Sequence, residues 1–354
     1  MNIYIQGTGC VSPQHTTVAE PLLADIREYE GSRLKAVEPD YRQWIDGKLI
    51  RRMGRVVKMG IAAARLGMEE AGSHMPDAIV TGTAYGCLED TGIFLSRMVT
   101  QQEEMLTPTA FIQSTHNTVG GQIALLLGCH AYNNTFVHRA FSFESALLDS
   151  MLLLQEQAAR QVLVGGVDEI TDHSHRILSR FGLYKQEAVR NTALLQSRTN
   201  GTIAGEGAAF FMLGTAKAAH TLARIAGLAT IYKPVSEQEI DKAVNAFLAA
   251  HHCGSGDIDL LISGRNGHAR EDRHFADLEQ RLFPGCAVAG FKHLCGEYPT
   301  ASAFATWLGA RMLQGQQLPQ GLLYSGTAPQ QLNRILICNC YQGTHHSLIL
   351  LDRP

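Results

Sequence analysis

Residues 137–151 read VHRAFSFESALLDSM. The stretch opens as the end of a strand and closes as an apolar helix, so the residues between must turn sharply. The start of a helix presents free backbone N–H groups and the positive end of the helix dipole, which favour an anion. A turn of this kind often carries a nucleophile. Here it offers Ala140 and Phe141, and neither side chain can attack. Ser142 follows, and a serine at a helix start reads as an N-cap. Glu144 reads as a first-turn acid favoured by the dipole. With His138 these two would form a hydrolase-type Ser-His-Glu set only if the fold brought them together, because such sets are defined by geometry.

Outward from this turn, strand-like runs alternate with helical ones. NIYIQG, DAIVTG, NTFVH, QVLVGG, AAFFML, IDLLIS, AVAGF, RILICN and SLILL read as strands. In residues 51–72 Met53, Val56, Val57, Ile61, Ala64 and Met68 follow helical spacing, with Gly72 as the stop. TVGGQIALLLG and ESALLDSMLLLQEQA are apolar nearly all round, which predicts helices buried between layers. Continuous apolar strands alternating with helices indicate an α/β architecture. A break at Thr215–Thr221 separates a first unit, residues 1–215, from a second, residues 216–354.

The 354 residues carry 30 basic and 33 acidic side chains, a net charge of -3, which gives no nucleic-acid footprint. Only 18% of residues are charged, which suggests a large subunit interface. No apolar run approaches the roughly 20 residues that span a bilayer. The start, MNIYIQGTGC, has no signal-like pattern, so the expected location is the cytoplasm. The eight cysteines read as buried free thiols, with Cys338 and Cys340 expected on opposite faces of a strand. The histidine pairs His251/His252, His345/His346 and His173/His175 lack the partners of a standard metal site, and no cofactor is expected.

Seven segments, in order and over almost the whole chain, resemble the β-ketoacyl synthases of fatty-acid and polyketide assembly. They are RRMGRVVKMGIAAARLGMEEAG, VTGTAYGCLEDTGIF, LTPTAFIQSTHNTVGGQIALLLG, VLVGGVDEIT with Asp168 and Glu169 near the family's acidic position, GTIAGEGAAFFML, FKHLCGEYPTASAFATW and ICNCYQGTHHSLILL. The resemblance implies a thiolase-like fold of two similar halves in a five-layered αβαβα arrangement, and a dimer whose central strands pair across a two-fold axis. It also implies the chemistry of a condensing enzyme: a cysteine thiolate at the elbow and two histidines that assist decarboxylation.

This chain departs at all three positions. Phe141, or Ala140 with a slip of one residue, stands where the cysteine belongs, and Cys129 lies before the elbow strand. The first histidine has no match in SGRNGHARED, where His268 is near but misplaced. The second is Glu297, and Lys292 matches the family's lysine, with an ion pair to Glu297 as one expected role. The resemblance therefore points to an inactive relative of the chain length factor type, as in aryl polyene or flexirubin-type pathways. Such a subunit pairs with an active ketosynthase, meets an acyl carrier protein and shapes the acyl tunnel. Phe111, Ile112, Gln113, Ser114, Thr115 and His116 match the segment that reaches the partner. An acyl transferase or hydrolase using Ser142, His268 or Glu297, and a homodimeric acyl-binding protein, are the alternatives.

Overall fold

A computed structural model describes residues 1–17, 21–218 and 220–354. Ala219, in the break expected at Thr215–Thr221, lies outside them. The first part of the chain runs β1 (Ile3–Val11), α1 (Arg55–Glu70), β2 (Ala78–Gly82), α2 (Leu88–Thr100), α3 (Pro108–Gln113), α4 (Thr118–Leu127), β3 (Tyr132–Phe136), α5 (Ser142–Gln155), β4 (Gln161–Asp168), α6 (Asp172–Arg180) and β5 (Gly207–Gly214). The second runs β6 (Ala223–Tyr232), α7 (Glu237–Ala250), β7 (Leu260–Ser263), α8 (Ala269–Leu282), β8 (Ala287–Gly290), α9 (Lys292–Cys295), α10 (Ala301–Gly315), β9 (Leu323–Ser325), β10 (Arg334–Tyr341) and β11 (His345–Asp352).

One strand order occurs twice. The first five strands lie in the order β3-β2-β4-β5-β1, and the second set, read from its far side, lies as β8-β7-β10-β11-β6. The senses repeat too: β2 is parallel to β3 and β4, as β7 is to β8 and β10, while the remaining pairs in each set are antiparallel. The short β9 only extends the edge beside β8. The sets join where Ile3, Tyr4 and Ile5 of β1 pair with Ile225, Arg224 and Ala223 of β6.

Strand residues alternate between the two faces, and both faces are apolar. In the first set Ile79, Leu163 and Phe210 face α1 and α4, while Val80, Val164 and Phe211 face α5 and α10. In the second set Ile262, Ile337 and Ile349 face α10, while Leu261, Leu336 and Leu350 face α7 and α8. Helices α5 and α10 thus form the middle of five layers. Cys338 and Cys340 both belong to the outer face, against α7 and α8. The expectation of opposite faces fails because a strand repeats every two residues.

The helix buried on every side is α10, in which each residue from Ala301 to Leu313 is buried. Its small residues let the two sheets close over it. The expectation that α4 and α5 would also be enclosed is corrected. Leu125 on α4 is 72% exposed, and Leu148 and Leu152 on α5 are 50% and 44% exposed. Each of these helices buries one face within this chain and leaves an apolar face open. Strand β3 is an edge strand beside this open face.

Gly82, the last residue of β2, lies against the start of α5. A Cβ there would stand 2.4 Å from the carbonyl oxygen of Ser142. Backbone cannot move aside as a flexible side chain can, so Gly82→Ala is expected to lower stability by about 3 kcal/mol, at the upper end of overpacking costs. Chemical denaturation of the variant against the parent chain measures this.

Candidate functional site

The elbow between β3 and α5 is a strained turn. Residues 139–141 form one 3-10 turn, and Arg139 holds φ +52°, a left-handed conformation that non-glycine residues adopt at a cost. Ser142 holds the turn closed. Its hydroxyl accepts from the His138 N–H at 2.9 Å and donates to the Arg139 carbonyl at 2.7 Å. With both bonds made inside the turn, Ser142 is not placed as a nucleophile. His138 turns to Ser145 instead, with Nδ1 3.1 Å from Oγ. Ser142, His138 and Glu144 are therefore not assembled as a catalytic set.

Phe141 is 5% exposed and fills the space in front of α5. Its ring packs edge-on against His345 at 4.8 Å between centroids, against His138 at 5.7 Å and against Tyr232 at 6.4 Å. Burial, with Arg139 and His138 adding to it, holds the His345 imidazole below its ordinary range, so it packs as a neutral ring. Above, the Tyr85 and Tyr341 hydroxyls meet at 3.2 Å, joining the turn after β2 to the end of β10. Sequence reading missed this bridge. Tyr85 stands in VTGTAYGCLEDTGIF and Tyr341 in ICNCYQGTHHSLILL, but nothing in either segment says that they touch.

Below the tyrosines lies a buried charged group. Lys292 Nζ donates to Glu297 Oε2 at 2.7 Å and to the Cys340 carbonyl at 2.8 Å. Asn266 Nδ2 also donates to Glu297 Oε2, at 2.9 Å. Burial raises the Glu297 carboxyl above its ordinary range, and Lys292 and Asn266 pull it back only in part. Glu297 Oε1 is buried and has no partner. His268 is not part of this group. It stands at the N-cap of α8, where its Nδ1 accepts from the Glu271 N–H. Asn266, two residues earlier, faces Glu297 in its place. The signal for Asn266 was present in SGRNGHARED, but a search for histidine passes over it.

The acidic positions serve the scaffold. Asp168 Oδ1 accepts from Thr83 Oγ1, Ala84 N and Tyr85 N, and Oδ2 accepts from Thr300 N and Oγ1. One carboxylate thus ties the end of β4 to the turn after β2 and to the start of α10. Burial pushes it up to about 6 despite these five bonds. Glu206 accepts from both guanidinium nitrogens of Arg55, at 2.6 and 2.7 Å, and from the Ala36 and Ile170 N–H groups.

Cys129 is buried, with its Sγ turned to the Pro76 carbonyl. Burial raises Cys10, Cys87 and Cys340 to about 12, far from a thiolate. Phe111 and Ile112, on α3, are more than half exposed, and Gln113 ends that helix. Ser114, Thr115 and His116 form the turn into α4, with His116 exposed at Gly86. Among the described residues no three His, Cys, Asp or Glu side chains gather as a metal site, and no helix is long and apolar enough to cross a membrane.

Removing one partner of a buried ion pair leaves the other charge uncompensated. Lys292→Met is expected to cost about 3–5 kcal/mol in chemical denaturation. The double change Lys292→Met with Glu297→Gln should recover most of that loss, because Asn266 can still bond the amide.

Residues 32–204 match the family model described as beta-ketoacyl synthase, N-terminal domain. No curated protein sequence matches the chain. Among solved structures it is similar to the ishigamide ketosynthase/chain length factor, with TM-score 0.82 and 17% identity over 100% of this chain and 99% of that one. It is also similar to a chain of the ketosynthase ApeO in complex with its chain length factor ApeC from Xenorhabdus doucetiae, with TM-score 0.78 and 15% identity over 100% and 98%. A third is AntDE:AntF, a type II polyketide synthase acyl-carrier protein in complex with its ketosynthase bound to the hexaketide, with TM-score 0.74 and 15% identity over 100% and 99%. Residues 32–204 thus carry the match to the synthase N-terminal domain, and from end to end the chain shares the thiolase-like fold of these ketosynthase structures.

Proposed function

We propose that this chain is the catalytically silent member of a ketosynthase pair, a subunit of the chain length factor type. It docks on an active, cysteine-bearing β-ketoacyl synthase and forms part of the wall of that enzyme's acyl tunnel. The pair's substrate is a growing polyketide or aryl polyene chain delivered as a thioester by an acyl carrier protein. One observation carries the reading: an aromatic ring, Phe141, fills the elbow where a condensing enzyme needs a thiolate.

The rest of the site agrees. The two histidine positions are occupied by Asn266 and by Glu297, and Glu297 is bound to Lys292. An amide and a paired carboxylate do not supply the imidazole donors that decarboxylation uses. The hydrolase or acyl-transferase alternative loses its nucleophile, since the Ser142 hydroxyl is committed within the turn. The open apolar face supports pairing. Leu125, Leu148, Leu152 and Val137 lie around the edge strand β3, with Phe111 and Ile112 on α3. Exposed apolar area of this kind marks an interaction surface. The neighbours named for a ketosynthase with its chain length factor, and for a ketosynthase with its carrier protein, support partners of the same two kinds.

Incubated alone with acyl thioesters of a carrier protein, the chain is expected to gain no acyl adduct by intact mass and to release no free thiol. Co-expressed with a cysteine-bearing ketosynthase, it should co-purify, and product length should depend on it. Leu148→Asp with Leu152→Asp should weaken pairing at least about 100-fold in sedimentation, as loss of central apolar contacts does. Turnover or an adduct from the chain alone would sink the proposal. A stable homodimer that excludes the ketosynthase would favour the acyl-binding alternative.

A further inference from the structure

The inner faces of β10 and β11 change character along their length. Ile335 and Ile337, with Leu351 and Ile349 opposite them, are apolar and belong to the central core. Asn339 and Ser347 come next as a register pair, followed by Tyr341 and His345. Against this polar end α5 sets Glu144 and α10 sets Ser302. Both carboxyl oxygens of Glu144, the hydroxyls of Ser302 and Ser347, and the amide oxygen of Asn339 are buried without a hydrogen-bond partner. The two serines flank the carboxyl, short of good hydrogen-bond geometry.

Among the described residues no cation answers Glu144. The titratable groups on the elements around it include His138 and Arg139 on the elbow, Asp149 on α5, Asp168 on β4, Arg224 and Tyr232 on β6, Lys292, His293 and Cys295 on α9 with Glu297 after it, Arg311 on α10, Arg334, Cys338, Cys340 and Tyr341 on β10, and His345, His346 and Asp352 on β11. Lys292 is taken by Glu297 and Arg311 by Glu70, and no ion pair reaches Glu144. An ionised carboxylate here would stand without compensation. A neutral acid carries an O–H and adds the donor that a cluster rich in acceptors lacks.

We propose that Glu144 is a proton site built into the core, held as the neutral acid, and that loss of its proton loosens α5 and so makes pairing depend on pH. The link to pairing rests on the reading above, because Leu148 stands one turn after Glu144 on α5 and Leu152 one turn further, both exposed. Burial pushes the Glu144 carboxyl from 4.5 up to about 7. Between those values the folded chain keeps a proton that the unfolded chain has lost. Stability therefore falls as pH rises through that window and levels off above it. Asp168, up to about 6, and Glu169, up to about 7, act in the same direction, so the test isolates Glu144 by substitution.

Glu144→Gln keeps the shape and removes the titration. In thermal unfolding, the variant should gain a few degrees on the parent chain between pH 5 and pH 8. A difference equal at both pH values overturns the proposal. Should that variant fail to fold, infrared spectroscopy of the parent chain near pH 6 should show a protonated-carboxyl C=O band that moves in Ser347→Ala. No band, or no band that moves, overturns it as well. Pairing with a cysteine-bearing ketosynthase is then compared at the two pH values, with several-fold weaker binding at pH 8 expected for the parent chain and not for Glu144→Gln. Equal binding by the parent at both values removes the link to pairing and leaves the pairing reading intact. Failure to pair at either value sinks the pairing reading, while the unfolding and infrared results still decide the proton site.

Discussion

A helix held between two sheets, as α10 is, has no face left for water, and the rest of this structure follows from that enclosure. Helix α10 meets it with small side chains, buried from Ala301 to Leu313. The start of α10 and the start of α5 both lie near the ends of strands, so their free N–H groups have to be satisfied inside the protein. Asp168 does this for Thr300, and the same carboxylate fixes the turn after β2. A buried carboxylate normally costs stability, and here five hydrogen bonds offset the cost.

The same enclosure gives the elbow a structural role. Arg139 keeps a strained backbone and Ser142 keeps a closed turn, although neither presents a nucleophile. The turn still sets the direction of α5 and brings it against Gly82. The space in front of α5 is taken by the Phe141 ring, with the neutral ring of His345 behind it. Lys292 remains because Glu297 and the Cys340 carbonyl use its charge in a place where an unpaired cation could not stay.

The layers were legible in the sequence because both faces of the strands are apolar, as in QVLVGG and RILICN. The short β9 was not, since three residues leave no periodicity to read. The enclosure of α5 was misjudged because composition reports how many faces are apolar and is silent about which chain covers each. At the site, the aromatic residue on the elbow, Phe141, was legible at a single position. The contact of Asn266 with Glu297 was not, because which residue of a loop points inward is decided by φ angles, among them φ +82° at Gly267. Glu144 read as a helix-dipole acid, and only the packing of four separate elements shows that it stands in the core without a counter-charge.

Strand β3 carries hydrogen bonds to β2 along one side only. Its other row of amides and carbonyls stays available to any extended backbone that arrives first. A second copy of this polypeptide offers such a backbone as readily as any other protein, so crowding the chain with itself invites strand-to-strand association.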